Sequence, residues 1–154
     1  MTNTTIPKIF HGRGVVGGQA QGPALFTDKA VNFTAAFTKP ENLIPFQKAV
    51  VRDRHHPWFK MNIRGKVLFI PAAIGSTHTG LVLLDLVRLQ KGPAAIIVAH
   101  PDPLLVSGII LSQVWYKRSI PVVEFPTEEL EGIVQDGQRI EVNGDTGEIV
   151  IGVG

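Results

Sequence analysis

"KVLFIPAAIGSTHTGLVLLDLVRLQKGPAAIIVA", Lys66 to Ala99, is the stretch whose reading decides the fold. It opens on an apolar run of strand length, and no charged residue interrupts Val67 to Ala72. A strand half exposed to water would alternate apolar and polar residues. A continuous run is expected of a strand buried on both faces. Thr79 to Lys91 then reads as a helix. Its apolar residues cover much of the circumference, so it should be largely buried. Gly92 and Pro93 stop it, and Ala94 to Ala99 reads as a second buried strand.

Outward from this centre, Asp102 can cap a helix with Pro103 in its first turn, running to about Lys117. Ile120 to Phe125 is a third buried strand. Strand–helix–strand–helix–strand implies three parallel strands with right-handed crossovers. An acidic segment, "EELEGIV", is followed by "QRIEVN" and "GEIVIG", joined by the hairpin-turn signature "GDTG". Upstream, Gly22 to Thr27 reads as a strand with Pro23 near its start, and "AVNF", Ala30 to Phe33, as its partner. Residues 35–64 carry prolines at 40, 45 and 57 and read mostly as loop, with a short strand at Ala49–Arg52. The whole is an α/β chain in three layers: a β-layer from hairpin-rich termini, a central parallel sheet, and helices. Residues 1–10 read as a flexible N-terminal arm and residues 11–154 as one domain.

Composition narrows the function. The chain has 154 residues, 44% hydrophobic and 18% charged, enough for one domain with a core. The net charge of +2 is not clustered. The nearest thing to a basic face, Val51 to Lys66, is interrupted by apolar and acidic residues, so nucleic acid is not the expected partner. There are no cysteines, which removes disulfides, a cysteine nucleophile and thiolate ligation of zinc or an iron–sulfur cluster by this chain alone. "MTNTTIPKIF" lacks the pattern of a signal peptide, and no apolar run reaches the ~18–20 residues of a membrane span. The expectation is a cytoplasmic protein that does not engage a membrane.

The candidate site is "GSTHTG", Gly75 to Gly80. It follows a buried strand and precedes a helix, at the carboxyl end of a parallel strand, where ligands of open α/β sheets bind. Free backbone N–H groups at a helix start favour an anion, and Gly75 lets a ligand approach the backbone. The same field would stabilise an alkoxide on Ser76 if another group helped remove its proton. The competing reading of Ser76 is a plain helix N-cap. His78 reads as a nucleophile, as a general base, or as a histidine held in a turn. His55, His56 and His100 lack the spacing of a metal site, so no metal is assigned. Arg13, Arg54 and Arg64 could bind a carboxylate or phosphate in bidentate fashion. "GRGVVGG" lacks the preceding strand and following helix of a dinucleotide fingerprint, and "GSTHTG" lacks the lysine of a P-loop.

An ordered set of segments carries a resemblance: "GRGVVGGQAQGPAL", "DRHHP", "RGKVLFIPAAIGSTHTG", "GPAAIIVAHPDPLLVSGII", "IPVVEF" and "IEVNGDTGEIVI". In this order they resemble the small subunit, or swivel domain, of the aconitase X family, over nearly the whole chain after the arm. The resemblance implies a swivelling β/β/α fold. It implies a dehydratase of a small hydroxy acid, of the phosphomevalonate or hydroxyproline type, completed by a large subunit that holds an iron–sulfur cluster. It also implies that the serine of the family's Gly-Ser-Thr or Gly-Ser-Ser stretch is the catalytic base, here Ser76. Gly75 and Thr77 would shape the anion-binding helix start, with Arg13 and His56 facing the substrate across the subunit cleft. Ala72, Ala73 and Ile74 before the motif depart from the family, as do His78 and Thr79 within it, and these departures bear on substrate identity. Two other readings stand beside this one. "STHTG" also resembles the turn of phosphohistidine domains, with His78 as phosphoryl carrier, and the fold could serve a non-catalytic binding module.

Overall fold

The apolar run of the central segment divides its side chains between two cores. A computed structural model describes residues 6–152, apart from 40, 41, 43 and 46. Strand β4 (Val67–Ala72) sends Val67 and Phe69 into one hydrophobic cluster and Leu68 and Ile70 into another, and none of these four is exposed. Strand β5 (Ala95–His100) repeats the pattern, with Ala95 and Ile97 on one side and Ile96 and Val98 on the other. Successive side chains of a strand point to opposite faces, so a strand covered on both sides must be apolar throughout. Burying an aliphatic or phenyl side chain of this kind is worth about 1.5–3 kcal/mol.

One cover is β, the other α. β4, β5 and β6 (Val122–Glu124) are parallel, and the last part of β3 (Gln19–Phe26) joins them in parallel through Ala24–Phe26. The first part of β3 pairs antiparallel with β7 (Arg139–Asn143), which forms a hairpin with β8 (Glu148–Ile151). The hairpin alternates as a half-buried sheet must: Ile140, Val142, Ile149 and Ile151 are inside, while Arg139, Glu141, Asn143 and Glu148 are not. These inward residues meet Val67, Phe69 and Ile97 from across the gap. On the other face lie α2 (Thr79–Arg88) and α3 (Pro103–Tyr116), with the short α1 (Phe33–Phe37) beside α2. Gly80 and Gly108 let α2 and α3 touch backbone to backbone, since a Cβ on Gly108 would stand 2.1 Å from the Gly80 carbonyl oxygen. The result is a β/β/α arrangement with the strand order β1-β8-β7-β3-β4-β5-β6-β2.

The N-terminal region differs from the sequence reading. β1 (Lys8–His11) pairs in register with β8, so Lys8–Phe10 are strand and not arm. Met1 to Thr5 lie outside the described residues, as does Pro40. β1 and β2 (Arg13–Val16) do not form a hairpin with each other. β2 crosses to pair with β6, and Gly12 between them donates to the Gly147 carbonyl. Among the described residues, the terminal β-layer is therefore closed by long-range pairing, with a true hairpin at its C-terminal end. "AVNF" is not a strand: Val31 makes one bridge to Ala73, and Phe33 already starts α1, capped by Asn32. Ala49–Arg52 reduces to one bridge between Val50 and Asn62. α2 ends at Arg88 and not at Lys91.

Candidate active site

Parallel pairing gathers the carboxyl ends of β4, β5 and β6 at one end of the molecule. Ala72 lies opposite His100, Val98 opposite Glu124, and Glu124 opposite Arg13 on β2. The β4–α2 turn, His100 and the Arg13–Glu124 ion pair thus share one end of the sheet. Arg13 is on the third strand over from β4, about 14 Å at ~4.8 Å per strand.

The turn is built around Gly75. Val31 donates to the Ala72 carbonyl at 3.0 Å and receives the Ile74 N–H at 2.9 Å, which ties the chain before α1 to the exit of β4. Gly75 then adopts φ +108°, and a Cβ there would come within 2.7 Å of the Asn32 side chain. Only glycine meets both conditions without strain. Ser76 follows. Its carbonyl accepts the Thr79 N–H at 3.1 Å and the Thr79 hydroxyl at 2.9 Å, starting α2. Its Oγ accepts the His78 N–H at 3.0 Å and lies 2.6 Å from His78 Nδ1. Ser76 is half-buried, Thr77 and His78 are exposed, and Thr79 is buried.

The plain cap reading of Ser76 holds in part, since its Oγ accepts an N–H at the start of α2. The N-cap position belongs to His78, which makes no side-chain cap bond. The Ser76 hydroxyl instead sits within the turn, bonded to His78 twice. Arg13 is mostly exposed and engages Glu124, at the same end of the sheet as Ser76. His56 is placed differently from the sequence expectation. It is buried, not presented at the surface. Its Nδ1 accepts the Trp58 N–H at 3.0 Å, and its ring meets the Trp58 indole edge-on at 5.2 Å. Its Nε2 is buried toward the Lys29 backbone without completing a well-formed hydrogen bond. Burial lowers the His56 pKa by desolvating the imidazolium, opposed in part by the Lys29 backbone and the Asp53 charge. This histidine is spent on structure.

Two features were not legible beforehand. His100, read only as an isolated histidine, is exposed at the end of β5 beside Ala72. A cavity of about 220 Å³ opens between α1 and α2, with His78, Thr34, Phe37, Leu81 and Val82 among its lining residues. The weak helical signal of "FTAAF" hid α1, and with it this cavity. A larger hollow of about 440 Å³ lies along the outer edge of β3, β7 and β8, lined by Gln19, Gln21, Glu141, Asn143 and Glu148, none of them in the turn. Among the described residues, no group of three or more His, Asp or Glu is placed to hold a metal. No described helix is long and apolar enough to cross a membrane.

Comparison with known proteins shows what the whole chain is similar to. The sequence profile of the aconitase X swivel domain matches residues 9–151. The phosphomevalonate dehydratase small subunit of Methanothermobacter thermautotrophicus is 32% identical over 137 residues, covering 89% of this chain and 95% of that one. The cis-3-hydroxy-L-proline dehydratase of Pseudomonas aeruginosa is 33% identical over 110 residues, covering 71% of this chain but only 18% of that one. The crystal structure of Thermococcus kodakaraensis aconitase X in its holo form superposes with a TM-score of 0.77 at 28% identity, covering 94% of this chain and 98% of that one.

Proposed function

The chain belongs to the aconitase X swivel-domain family, and from that premise we propose that it is the small subunit of a heteromeric, cytoplasmic dehydratase, with Ser76 as the proton acceptor. The observation that carries the reading is the half-buried Ser76 hydroxyl at the carboxyl end of β4, in a chain whose match runs through the whole domain. The coverage supports the division of labour. The chain spans nearly all of a relative named a small subunit and about a fifth of a relative named cis-3-hydroxy-L-proline dehydratase. The remaining machinery is assigned to a large subunit.

Dehydration removes a proton from one carbon and a hydroxyl from its neighbour. Ser76 Oγ takes the proton, the C–H electron pair becomes the double bond, and the hydroxyl leaves with its electron pair as water once protonated. An oxyanion on Ser76 is held by the His78 N–H and by the start of α2. Gly75 keeps the backbone open to a ligand, and Thr77 is exposed beside it. Arg13 is a candidate at this end of the sheet for the substrate's carboxylate or phosphate, in exchange for part of its pairing with Glu124. The chain has no cysteine, so its own residues do not fit thiolate ligation of an iron–sulfur cluster. The cluster of the proposed assembly is assigned to the large subunit, and none of these steps is routed through it. The substrate class is a hydroxy acid, of the hydroxyproline or the phosphorylated type.

The test is to purify the chain from its native host and identify what accompanies it. A cysteine-containing large chain, with turnover of cis-3-hydroxy-L-proline or phosphomevalonate by the pair and none by this chain alone, is the expected result. Full turnover by a Ser76→Ala pair would overturn the assignment of the base.

A further inference from the structure

Ser76 cannot act as a base while it keeps its proton, and the structure holds an acceptor for that proton. We propose that His78 takes the Ser76 hydroxyl proton, so that the two side chains work as one proton-accepting pair. The inference rests on the reading of Ser76 as base and deepens it.

The hydrogen-bond inventory of Oγ carries the argument. The His78 N–H already donates to Oγ at 3.0 Å. Oγ and Nδ1 stand 2.6 Å apart, so one proton lies between them. With the ring neutral, that proton is the hydroxyl's own. Oγ–H then donates to an unprotonated Nδ1, and the ring proton sits on Nε2. A serine hydroxyl is a weak nucleophile and base until an adjacent group removes its proton. No other titratable side chain is hydrogen-bonded to Ser76 among the described residues. His78 has αR backbone angles, φ −76° and ψ −5°, at the start of α2, and this places the ring beside the residue two positions back. The other groups near the ring do not compete for this proton. Asp85 lines the same cavity but is bonded to Arg88 at 2.7 Å, and α1 with its C-cap residue contributes Thr34, Phe37 and Thr38 to the cavity, none of them charged.

The proton balance closes. The Oγ–H bond breaks and an Nδ1–H bond forms, giving an alkoxide and an imidazolium. The alkoxide takes the substrate's carbon-bound proton, the C–H pair becomes the double bond, and the hydroxyl leaves with its electron pair. The imidazolium proton completes the water, directly or through solvent, and both residues return to their starting forms. His78 acts through Ser76 and is a positioning and proton-holding residue.

A fluorophosphonate tests the pair on the full chain without a known substrate. An activated Ser76 forms the O–P bond, fluoride leaves, and the hydroxyl proton passes to His78. The expected result is labelling of Ser76 at a rate that depends on pH. His78→Gly should lower that rate about 10²–10⁴-fold. Imidazole added to the buffer should restore part of it, which a merely structural loss would not allow. His78→Gln serves as the conservative control for folding, checked by circular dichroism, and should stay slow and lose the pH dependence. Absence of labelling in the wild-type chain, or a His78→Gly chain that labels at the wild-type rate, overturns the proposal. The outcomes separate the two readings. A Ser76→Ala pair with full turnover removes the base itself. An inactive Ser76→Ala pair beside a His78→Gln pair of unchanged kcat and pH profile removes only the role of His78.

Discussion

β5 passes to α3 through Pro101 and Asp102 alone. The Asp102 carboxylate accepts the Leu104 N–H at 2.6 Å, and Pro103 fills a position whose N–H would have no partner. β4 passes to α2 at the same end of the same sheet, through Ala73 to His78. Here the cap residue makes no side-chain bond, a glycine takes a positive φ, and the nearest hydroxyl is turned toward a histidine. The two turns solve the same geometric problem. One closes its helix start with a side chain. The other also receives one N–H, that of His78, on a side-chain oxygen, and adds a second contact from that oxygen to the His78 ring. Asp102 meets only a backbone N–H, whereas the Ser76 hydroxyl also meets a titratable ring, and on the proposed reading that second contact is what separates a site from a cap.

The sharpest way to break this comparison is to delete the working group of each turn. Ser76→Ala should reduce turnover of the assembled dehydratase about 10²–10⁴-fold, the usual contribution of a general base, while unfolding stability changes by no more than about 1 kcal/mol. Steady-state kinetics and urea denaturation of the same preparations check both halves. A smaller but global effect is expected at the helix crossing that supports both turns. Gly108→Ala presses a methyl group into the Gly80 backbone and should cost about 1–3 kcal/mol, seen as a lower melting temperature. Asp102→Ala should cost about 1 kcal/mol of stability and leave kcat unchanged. A large loss of turnover with Asp102→Ala would mean that the two turns are not functionally distinct.

The smallest effect is a pH dependence. His56 packs toward Lys29, in the segment that leads to Val31 and its two bonds to the β4–α2 turn. Its folded pKa lies below the ordinary value of 6.5 because burial disfavours the charged ring. The unfolded chain therefore binds more protons than the folded one once the pH falls toward the ordinary histidine value. The His56 contribution to stability is complete above that value and is lost as the pH falls through the lowered folded pKa. Urea midpoints measured at stepwise lower pH should decline in the wild-type chain and decline less steeply in His56→Asn. Hydrogen exchange should open the Ile74 amide before the Leu104 amide as the pH drops.

The parts of this molecule that were legible beforehand are those whose signal is local. The two-sided burial of β4 and β5 is written in unbroken apolar runs. The β7–β8 hairpin is written in alternation around "GDTG", and the α3 cap in Asp102–Pro103. Ser76 is reached by a different route, through resemblance to a family, because its position alone favours a cap. α1 was missed because it is only Phe33 to Phe37, too short for a helical period to show. His56 is placed differently because a histidine in the polar, proline-containing stretch "DRHHP" reads as exposed, and nothing nearby announces that Trp58 and Lys29 will enclose it.

The sequence by itself determined which faces are buried, since periodicity follows from the backbone geometry of each element and needs no partner to be named. It also determined that this chain brings no thiolate to a cluster. Only the tertiary structure decided which strands meet. Gly12 sends β1 and β2 to separate edges of the sheet order, and Arg13 finds Glu124 across 111 positions of sequence. Periodicity carries no partner's address, so these pairings are chosen by closure of the whole sheet. The Ser76–His78 bond spans two positions and was still not legible. It goes with the positive φ of Gly75, where Asn32 leaves no room for a Cβ, and with the backbone angles that set the ring of His78 beside Oγ.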